Sequence, residues 1–415
     1  MKRFSRGFLA LLLFGALFTA GFCWRDLQQG RFPSAKTVTT FLGIDSGGKA
    51  LSMGQQFQQT FNKVSNEYYK PTDPKRIKYA AIGGMMASLG DPHTTFLEPS
   101  TAKAFDMETQ ARFFGIGARL MPDPLGVKIA NVFSNSPADR AGLKPGDTVT
   151  VIDGVVVAGK TPDEIADKIR GPKGTVVNLQ VVRNGSAAPI NLRAVRDQII
   201  TPTVEGKLVN GSDIGYLSVS QFSAPTANQF LTEVKKLEES GIKGLVIDLR
   251  SNPGGLLNTA SDMLSLFAAD KVVVSMKERT TTTVEKTASG QVRQWKYPVV
   301  CLVNEDSASA AEIFAGCLRD YGIAQLIGEH TYGKASVQNV LPLRDNASVK
   351  ITIARYFLPT TPDIGRKVDE DGQYISGGLI PDFLVKIDPN ENFVPGDAKT
   401  DPQLRKAIEV LMSKR

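Results

Sequence analysis

Histidine and cysteine are scarce in this chain: His93 and His330 are the only imidazoles, and Cys23, Cys301 and Cys317 the only thiols, in 415 residues. An odd number of cysteines without metal-ligand spacing argues against both a disulfide framework and a thiolate metal site. Cys301 lies in the apolar run PVVCLV and Cys317 on the apolar face of the following helix, so both are expected to be buried, unreactive thiols. With two histidines and no G-x-S-x-G elbow, imidazole-based acyl chemistry has few candidates. A basic stripe with aromatic partners is also missing. The net charge is +7, but Lys2, Arg3 and Arg6 cluster at the start and removing them leaves +4, with the other bases interleaved with acids as in EVKKLEES. Nucleic acid is therefore not an expected partner. No long internal repeat or low-complexity tract interrupts the chain.

What is present is an ordinary globular balance, 42% apolar and 22% charged residues, over a length that suggests two or three domains. Behind the basic start, Gly7–Trp24 carries no charge over 18 residues. Such a segment is a secretory signal, with Thr19-Ala20-Gly21 as a cleavage site, or an uncleaved anchor just long enough to span a bilayer. The anchor is the preferred expectation, and both place the body of the protein outside the cytoplasm, in the periplasm or cell envelope.

Residues 25–109 read as helical segments, including FQQTFNKVSNEYY and RIKYAAIGGMMASLG, and residues 110–197 as a β-rich domain. Within the latter, TPDEIADKIRG is a marked helix with Thr161 as N-cap, Pro162 at the first position and Glu164 completing a capping box. TVVNLQVVRNGSAAPINLRAV reads as a hairpin turned at Asn184-Gly185. Residues 198–390 alternate strands with helices. GLVIDLR and PVVCLVN are continuous apolar runs of the kind found in buried parallel strands, so an α/β core with sites at strand C-terminal ends is expected. Residues 391–415 close the chain with an amphipathic helix.

Two serines a turn apart in NEDSASAAEIF stand where an apolar strand gives way to a helix. Ser309 with Glu312 has capping-box spacing, so it is either a helix cap or a nucleophile. The same helix start leaves unpaired N–H groups, among them Ala310, that can face an oxyanion. The Pro-Gly-Gly turn in DLRSNPGGLL can supply a second donor, or be an ordinary tight turn. In IGEHTYGKASVQ a base is offered by His330 or by Lys334, and a lysine serves only where burial depresses its pKa.

SASAAE followed by YGKASVQ resembles the paired motifs of the C-terminal processing, or tail-specific, peptidases, which are serine–lysine proteases. The resemblance implies Ser309 as nucleophile, Lys334 as base and Gln338 as the residue supporting the lysine. It implies Ala310 and Gly255 as oxyanion donors, with Gly254 adjacent. GDPHTTFLEP resembles the family's Asp-Pro-aromatic-Thr segment, with His93 where an aromatic is usual. SGGLIPDFLV resembles its Gly-Ile-x-Pro-Asp ending, and TPDIGRKVDEDGQYI before it is longer than the usual loop. The block from FFGIGARL to DGVVV resembles the family's inserted PDZ domain. The fold class implied is α/β multidomain: helical N-terminal segments, a β-rich PDZ domain and an α/β crotonase-like protease core.

In FFGIGA, exposed N–H groups can capture a terminal carboxylate while the strand edge accepts an extended peptide. Gly115 and Gly117 supply backbone freedom, and Phe113, Phe114 and Ile116 supply apolar pocket or core. The substrate-binding candidates are Phe114, Gly115, Ile116 and Gly117. The expected function is an extracytoplasmic serine endopeptidase acting on protein or peptide substrates with free C-termini, requiring no metal or cofactor. Two rivals are an inactive PDZ-type peptide-binding scaffold and a Ser-His-Asp hydrolase using His330.

Overall fold

The computed structural model describes residues 52–290, 292–361, 363–388 and 392–414; the uncharged stretch Gly7–Trp24 and Cys23 lie outside them. The chain divides into two compact units, residues 1–85 and 86–415. In the first, helix α1 (Met53–Glu67) starts at Ser52 with a complete capping box to Gln55; helix α2 (Pro74–Ala87), whose last two residues fall past the division, begins with proline at its first position, where the missing N–H costs nothing. No helix among the described residues is long and apolar enough to cross a membrane.

The second unit opens with strand β1 (Thr95–Leu97) and helix α3 (Pro99–Thr109). A β-rich domain follows, built from β2 (Arg112–Gly115), β3 (Ala118–Asp123), β4 (Gly126–Val132), α4 (Pro137–Arg140), β5 (Thr148–Ile152), β6 (Val155–Val156), α5 (Pro162–Ile169), β7 (Val176–Val182), β8 (Ile190–Val195) and β9 (Asp197–Ile200). Its sheet runs β3-β4-β5-β7-β8, with β6 on β5, and β2 pairs with β9 separately. Strict alternation along β7 turns Val177, Leu179 and Val181 inward, onto an all-aliphatic core that includes Ile116, Ile129 and Ile165. Each such side chain stabilises the domain by about 1.5–3 kcal/mol. Helix α5 carries the expected Thr161–Glu164 capping box. The β7–β8 hairpin turns at Asn184-Gly185 as expected, with Ser186 N–H donating to Arg183 O and Gly185 at φ +83°. Its loop is wider than a two-residue turn, because pairing stops at Val181 and Ile190.

The α/β core contains β10 (Val204–Leu208), β11 (Ile214–Val219), α6 (Thr226–Glu239), β12 (Gly244–Asp248), α7 (Leu257–Ser265), β13 (Val272–Glu278), β14 (Thr282–Lys286), β15 (Val299–Val303), α8 (Ala310–Asp320), β16 (Ala324–Gly328), β17 (Ser336–Pro342), β18 (Ser348–Phe357), β19 (Lys367–Val368), β20 (Tyr374–Ser376), β21 (Phe383–Leu384) and α9 (Pro402–Ser413). The central sheet is ordered β10-β11-β12-β15-β16-β21 and is parallel from β11 onward. Both faces are covered, which is why β12 and β15 are apolar without alternation. Leu245, Ile247, Val299, Cys301 and Val303 point to the layer of α6, α7 and α8, packing with Phe230, Met263 and Phe314. Val246, Val300 and Leu302 point the other way, to Leu404, Ala407 and Leu411 of α9. Cys301 and Cys317 are buried free thiols, as expected, and burial pushes both thiol pKa values up.

Beside this layer, β1, β18, β13 and β14 form an antiparallel sheet, with β17 also on β18. The long TPDIGRKVDEDGQYI segment folds into the small β19–β20 hairpin.

Candidate active site

β12 and β15 are neighbouring parallel strands, and the two loops that leave their C-terminal ends are stitched together. Asn304 Oδ1 accepts from Ser251 N–H at 2.7 Å, and Ala308 N–H donates to Asn252 O at 2.9 Å. Ser307, fully buried, donates its hydroxyl to Leu249 O at 2.8 Å and accepts from Asn304 N–H at 3.0 Å. The two serines of SASAAE thus separate in kind. Ser307 is a fastener between strand ends, whereas Ser309 is half-buried and lines a cavity of about 680 Å³.

The backbone at Ser309 has φ +56° and ψ −117°, a region that costs a non-glycine residue about 1–3 kcal/mol. It is a strained strand-to-helix corner made without flanking glycines. Ser309 and Glu312 stand in a capping-box arrangement, in which Glu312 Oε2 accepts from Ser309 N–H at 2.8 Å.

Glu312 does more than cap. Completely buried, it also accepts from Thr331 Oγ1 at 2.5 Å, Gly333 N–H at 2.7 Å and Lys334 N–H at 2.9 Å. One carboxylate therefore ties the backbone of Ser309 to that of Lys334. Burial pushes its pKa up, against the hydrogen bonds from Thr331 and the three amides. Tyr356 adds a second tie, its buried hydroxyl donating to Lys334 O at 2.5 Å with Ser309 O at 3.5 Å. The sequence reading missed both. Glu312 looked like a capping residue, and Tyr356 lies in a strand whose alternation gives no sign of a partner.

Lys334 and Gln338 line the same cavity as Ser309, Ala310 and Gly255, so the candidates from the core are brought together. Burial lowers the pKa of Lys334 and Lys350 adds to the effect, while Glu312 and Asp91 oppose it. Gln338 Nε2 donates to Ser336 Oγ at 2.9 Å and to Thr352 Oγ1 at 3.2 Å. Thr352 N–H in turn donates to Thr94 Oγ1, which reaches Asp91 at 2.6 Å. The DPHTT segment is thereby fastened to the strand facing the cavity. Burial alone would raise the pKa of Asp91, but hydrogen bonds from Thr352 and Thr94 hold it below the ordinary value. His93 is lowered by burial and by Lys334.

The Pro-Gly-Gly loop packs against the serine corner. A Cβ on Gly254 would lie 2.6 Å from Ala308 O and 2.8 Å from both Ala310 N and Ser309 Cβ. Gly254 N–H is already committed, donating to Asn252 Oδ1 at 2.9 Å. The N–H groups of Gly255 and Ala310 donate no hydrogen bond among the described residues. His330 is elsewhere, stacked on Tyr374 with ring centroids 4.4 Å apart and outside the cavity lining.

In the β-rich domain Gly115, Ile116 and Gly117 are buried, and Ile116, 2% exposed, belongs to the core. Gly117 has φ +81°; Gly115 does not enter that region, and glycine there relieves crowding, since a Cβ would sit 3.0 Å from the Phe113 ring. Phe114 lines a second cavity of about 960 Å³ with Phe113, Arg170 and Lys173, and Glu108 and Gln221 border both cavities.

Residues 213–385 match Peptidase family S41 and residues 128–183 match a PDZ domain. The chain is 34% identical over 378 residues to the carboxy-terminal processing protease CtpB of Bacillus subtilis (strain 168), covering 89% of this chain and 78% of that protein. It is 33% identical over 422 residues to the carboxy-terminal-processing protease of Bartonella bacilliformis, covering 92% and 94%. To the carboxyl-terminal-processing protease of Synechocystis sp. it is 32% identical over 425 residues, covering 99% and 95%.

Proposed function

The chain belongs to the carboxy-terminal processing proteases of peptidase family S41 and is a serine-type peptidase, and on that premise we propose that Ser309 and Lys334 are its catalytic dyad. Lys334 Nζ, unprotonated, takes the proton from Ser309 Oγ as that oxygen attacks a peptide carbonyl. The tetrahedral oxyanion forms against the N–H groups of Gly255 and Ala310, and the lysine ammonium returns its proton to the departing amine. Lys334 then deprotonates the water that attacks the acyl group, and returns that proton to Ser309 Oγ as the ester bond breaks. Gln338 holds the strand facing the lysine.

The observation that carries this reading is the corner at Ser309: a strained backbone, an Ala310 N–H at the helix start with no hydrogen-bond partner among the described residues, and a half-buried lysine on the same cavity. The commitment of Gly254 N–H to Asn252 supports Gly255 over its neighbour as second donor.

The PDZ loop reads the substrate's C-terminus. The N–H groups of Ile116 and Gly117 donate no hydrogen bond among the described residues, which supports a carboxylate-binding nest. The two cavities that share Glu108 and Gln221 favour a substrate held by its tail and cut upstream. The work is done outside the cytoplasm, with Gly7–Trp24 holding the protein at the membrane; retention in the membrane fraction through a high-salt wash, and release by detergent, is the expected result.

The dyad is tested with Lys334→Arg. A guanidinium cannot give up its proton, so cleavage of an unfolded protein should stop as completely as in Ser309→Ala. Near-normal turnover in Lys334→Arg would overturn the mechanism. His330→Ala should keep substantial activity.

A further inference from the structure

Lys334 shares its cavity with a second amine. Lys350 lies on β18 and lines the same space as Ser309 and Lys334. Lys350 and Thr352 share the face of β18 opposite Val340 and Gln338 of β17, short of a register irregularity in this pair, and Tyr356 beyond it lines the same cavity. These residues meet the dyad's surroundings: Tyr356 bonds Lys334 O, and Thr352 pairs with Gln338. The Lys350 ammonium rests 5.2 Å from the centre of the Phe105 ring.

Three of the four carboxylates nearest the two amines are already engaged. Glu312 of α8 accepts four hydrogen bonds. Asp91, in the loop ahead of β1, takes His93 N–H at 3.0 Å and Thr94 Oγ1 at 2.6 Å. On α3, Asp106 pairs with Arg112 at 3.3 Å, and Glu108 is exposed at the border of the cavity. Neither lysine makes an ion pair among the described residues. The remaining titratable neighbours are His93, and Tyr356, whose hydroxyl burial keeps protonated.

We propose that Lys350 is a positioning residue for the reaction, a second fixed positive charge in the cavity that keeps the Lys334 amine unprotonated and able to accept the Ser309 proton. The proposal rests on Lys334 being the base. Like charges confined together disfavour one another's charged forms. Burial and Lys350 both push Lys334 downward. Because the unprotonated amine is the active form, activity rises with pH through that lowered value. Removing the Lys350 charge moves the rise to higher pH. Protonation of His93 in acid would add a third positive charge and steepen the loss there.

The test uses the full-length protein and a serine-directed fluorophosphonate, whose labelling reports nucleophile activation without PDZ capture, alongside kcat/KM for a peptide. In Lys350→Met the rising limb should move to higher pH, with labelling at neutral pH lower by about 3–10-fold and recovered at high pH. Lys350→Arg should keep the wild-type limb, since it keeps the charge. An unmoved limb in Lys350→Met overturns the proposal whatever happens to the rate; a raised KM with an unmoved limb would mean that Lys350 binds substrate instead. If Lys350→Met does not fold, Lys350→Gln is judged on the same limb. Lys334→Ala separates the two levels of the argument. Loss of labelling there keeps Lys334 as base and lets the Lys350 variants decide, whereas labelling at the wild-type rate would sink the base itself.

Discussion

Two glycine loops in this molecule are suited to receive an anionic oxygen, and they are built from different materials. Pro253-Gly254-Gly255 is walled by backbone: a Cβ on Gly255 would fall 2.1 Å from Phe222 O, and one on Gly254 would meet Ala308 O and Ala310 N. Both glycines lie at strongly positive φ, +96° and +139°. Gly115-Ile116-Gly117 is walled by side chains, with Ser136 Cβ 2.6 Å from a Cβ on Gly117 and the Phe113 ring 3.0 Å from one on Gly115. The Phe113 ring can turn aside on its own χ angles, whereas Ser136 Cβ is carried by its backbone, so the PDZ loop yields at Gly115 rather than at Gly117. On the proposed mechanism the peptidase loop holds its donors where charge develops in the transition state, so rigidity is part of its chemistry. On the same proposal the PDZ loop holds a carboxylate that is already charged.

The largest effect should therefore come from breaking the rigid loop. Gly255→Ala forces the chain away from Phe222 and displaces the proposed donor. Loss of one oxyanion donor typically costs about 10²–10³ in kcat, and single-turnover acylation should fall by that order while thermal melting still shows one cooperative transition. Acylation within a few-fold of wild type would mean that the two loops are equally tolerant.

What could be read from the sequence follows the same division. Continuous apolar strands, capped helices and paired motifs are local or ordered signals, and they disclosed the α/β core, the PDZ block and the candidates Ser309, Lys334 and Gly255. The ties made between distant segments were not legible. Glu312 meets Thr331, Gly333 and Lys334 from 19 to 22 residues away, and nothing in SASAAE distinguishes such a carboxylate from a capping one. Nor does spacing encode the hydrogen bond that commits Gly254 N–H to Asn252.

The PDZ loop should give an intermediate effect, confined to capture. Amidating a substrate's C-terminus removes the charge that the Ile116 and Gly117 N–H groups are proposed to bind. A charge-assisted hydrogen bond contributes about 1.5–3 kcal/mol, so kcat/KM for an unfolded substrate with an apolar tail should drop by roughly 10–100-fold, mostly in KM. Gly117→Ala, which strains φ +81° against Ser136, should reproduce the loss with the free acid and leave fluorophosphonate labelling of Ser309 intact. Equal rates for amidated and free-acid substrates would remove carboxylate reading from the PDZ loop, leaving the peptidase loop as the only anion site of the pair.

Gln338 lies outside both loops and should give the smallest effect. Its amide bonds Ser336 Oγ and Thr352 Oγ1, joining β17, which leads away from Lys334, to β18, which carries Lys350 and Tyr356. Gln338→Ala removes two neutral hydrogen bonds of about 1 kcal/mol each at most. The strands remain paired on both sides of the site, from Ser336–Arg355 to Pro342–Ser348. The lysine should therefore stay in the cavity with its burial and its neighbouring charge unchanged. A loss of a few-fold to about tenfold in kcat is expected, with the pH at which activity rises staying where it is in the wild type. A shift of that pH in Gln338→Ala would mean that the glutamine acts on the amine itself rather than on the strand beneath it. Two peptidase-side variants, Gly255→Ala and Gln338→Ala, would then differ in kind as well as in size, one disabling the oxyanion donors and the other the base.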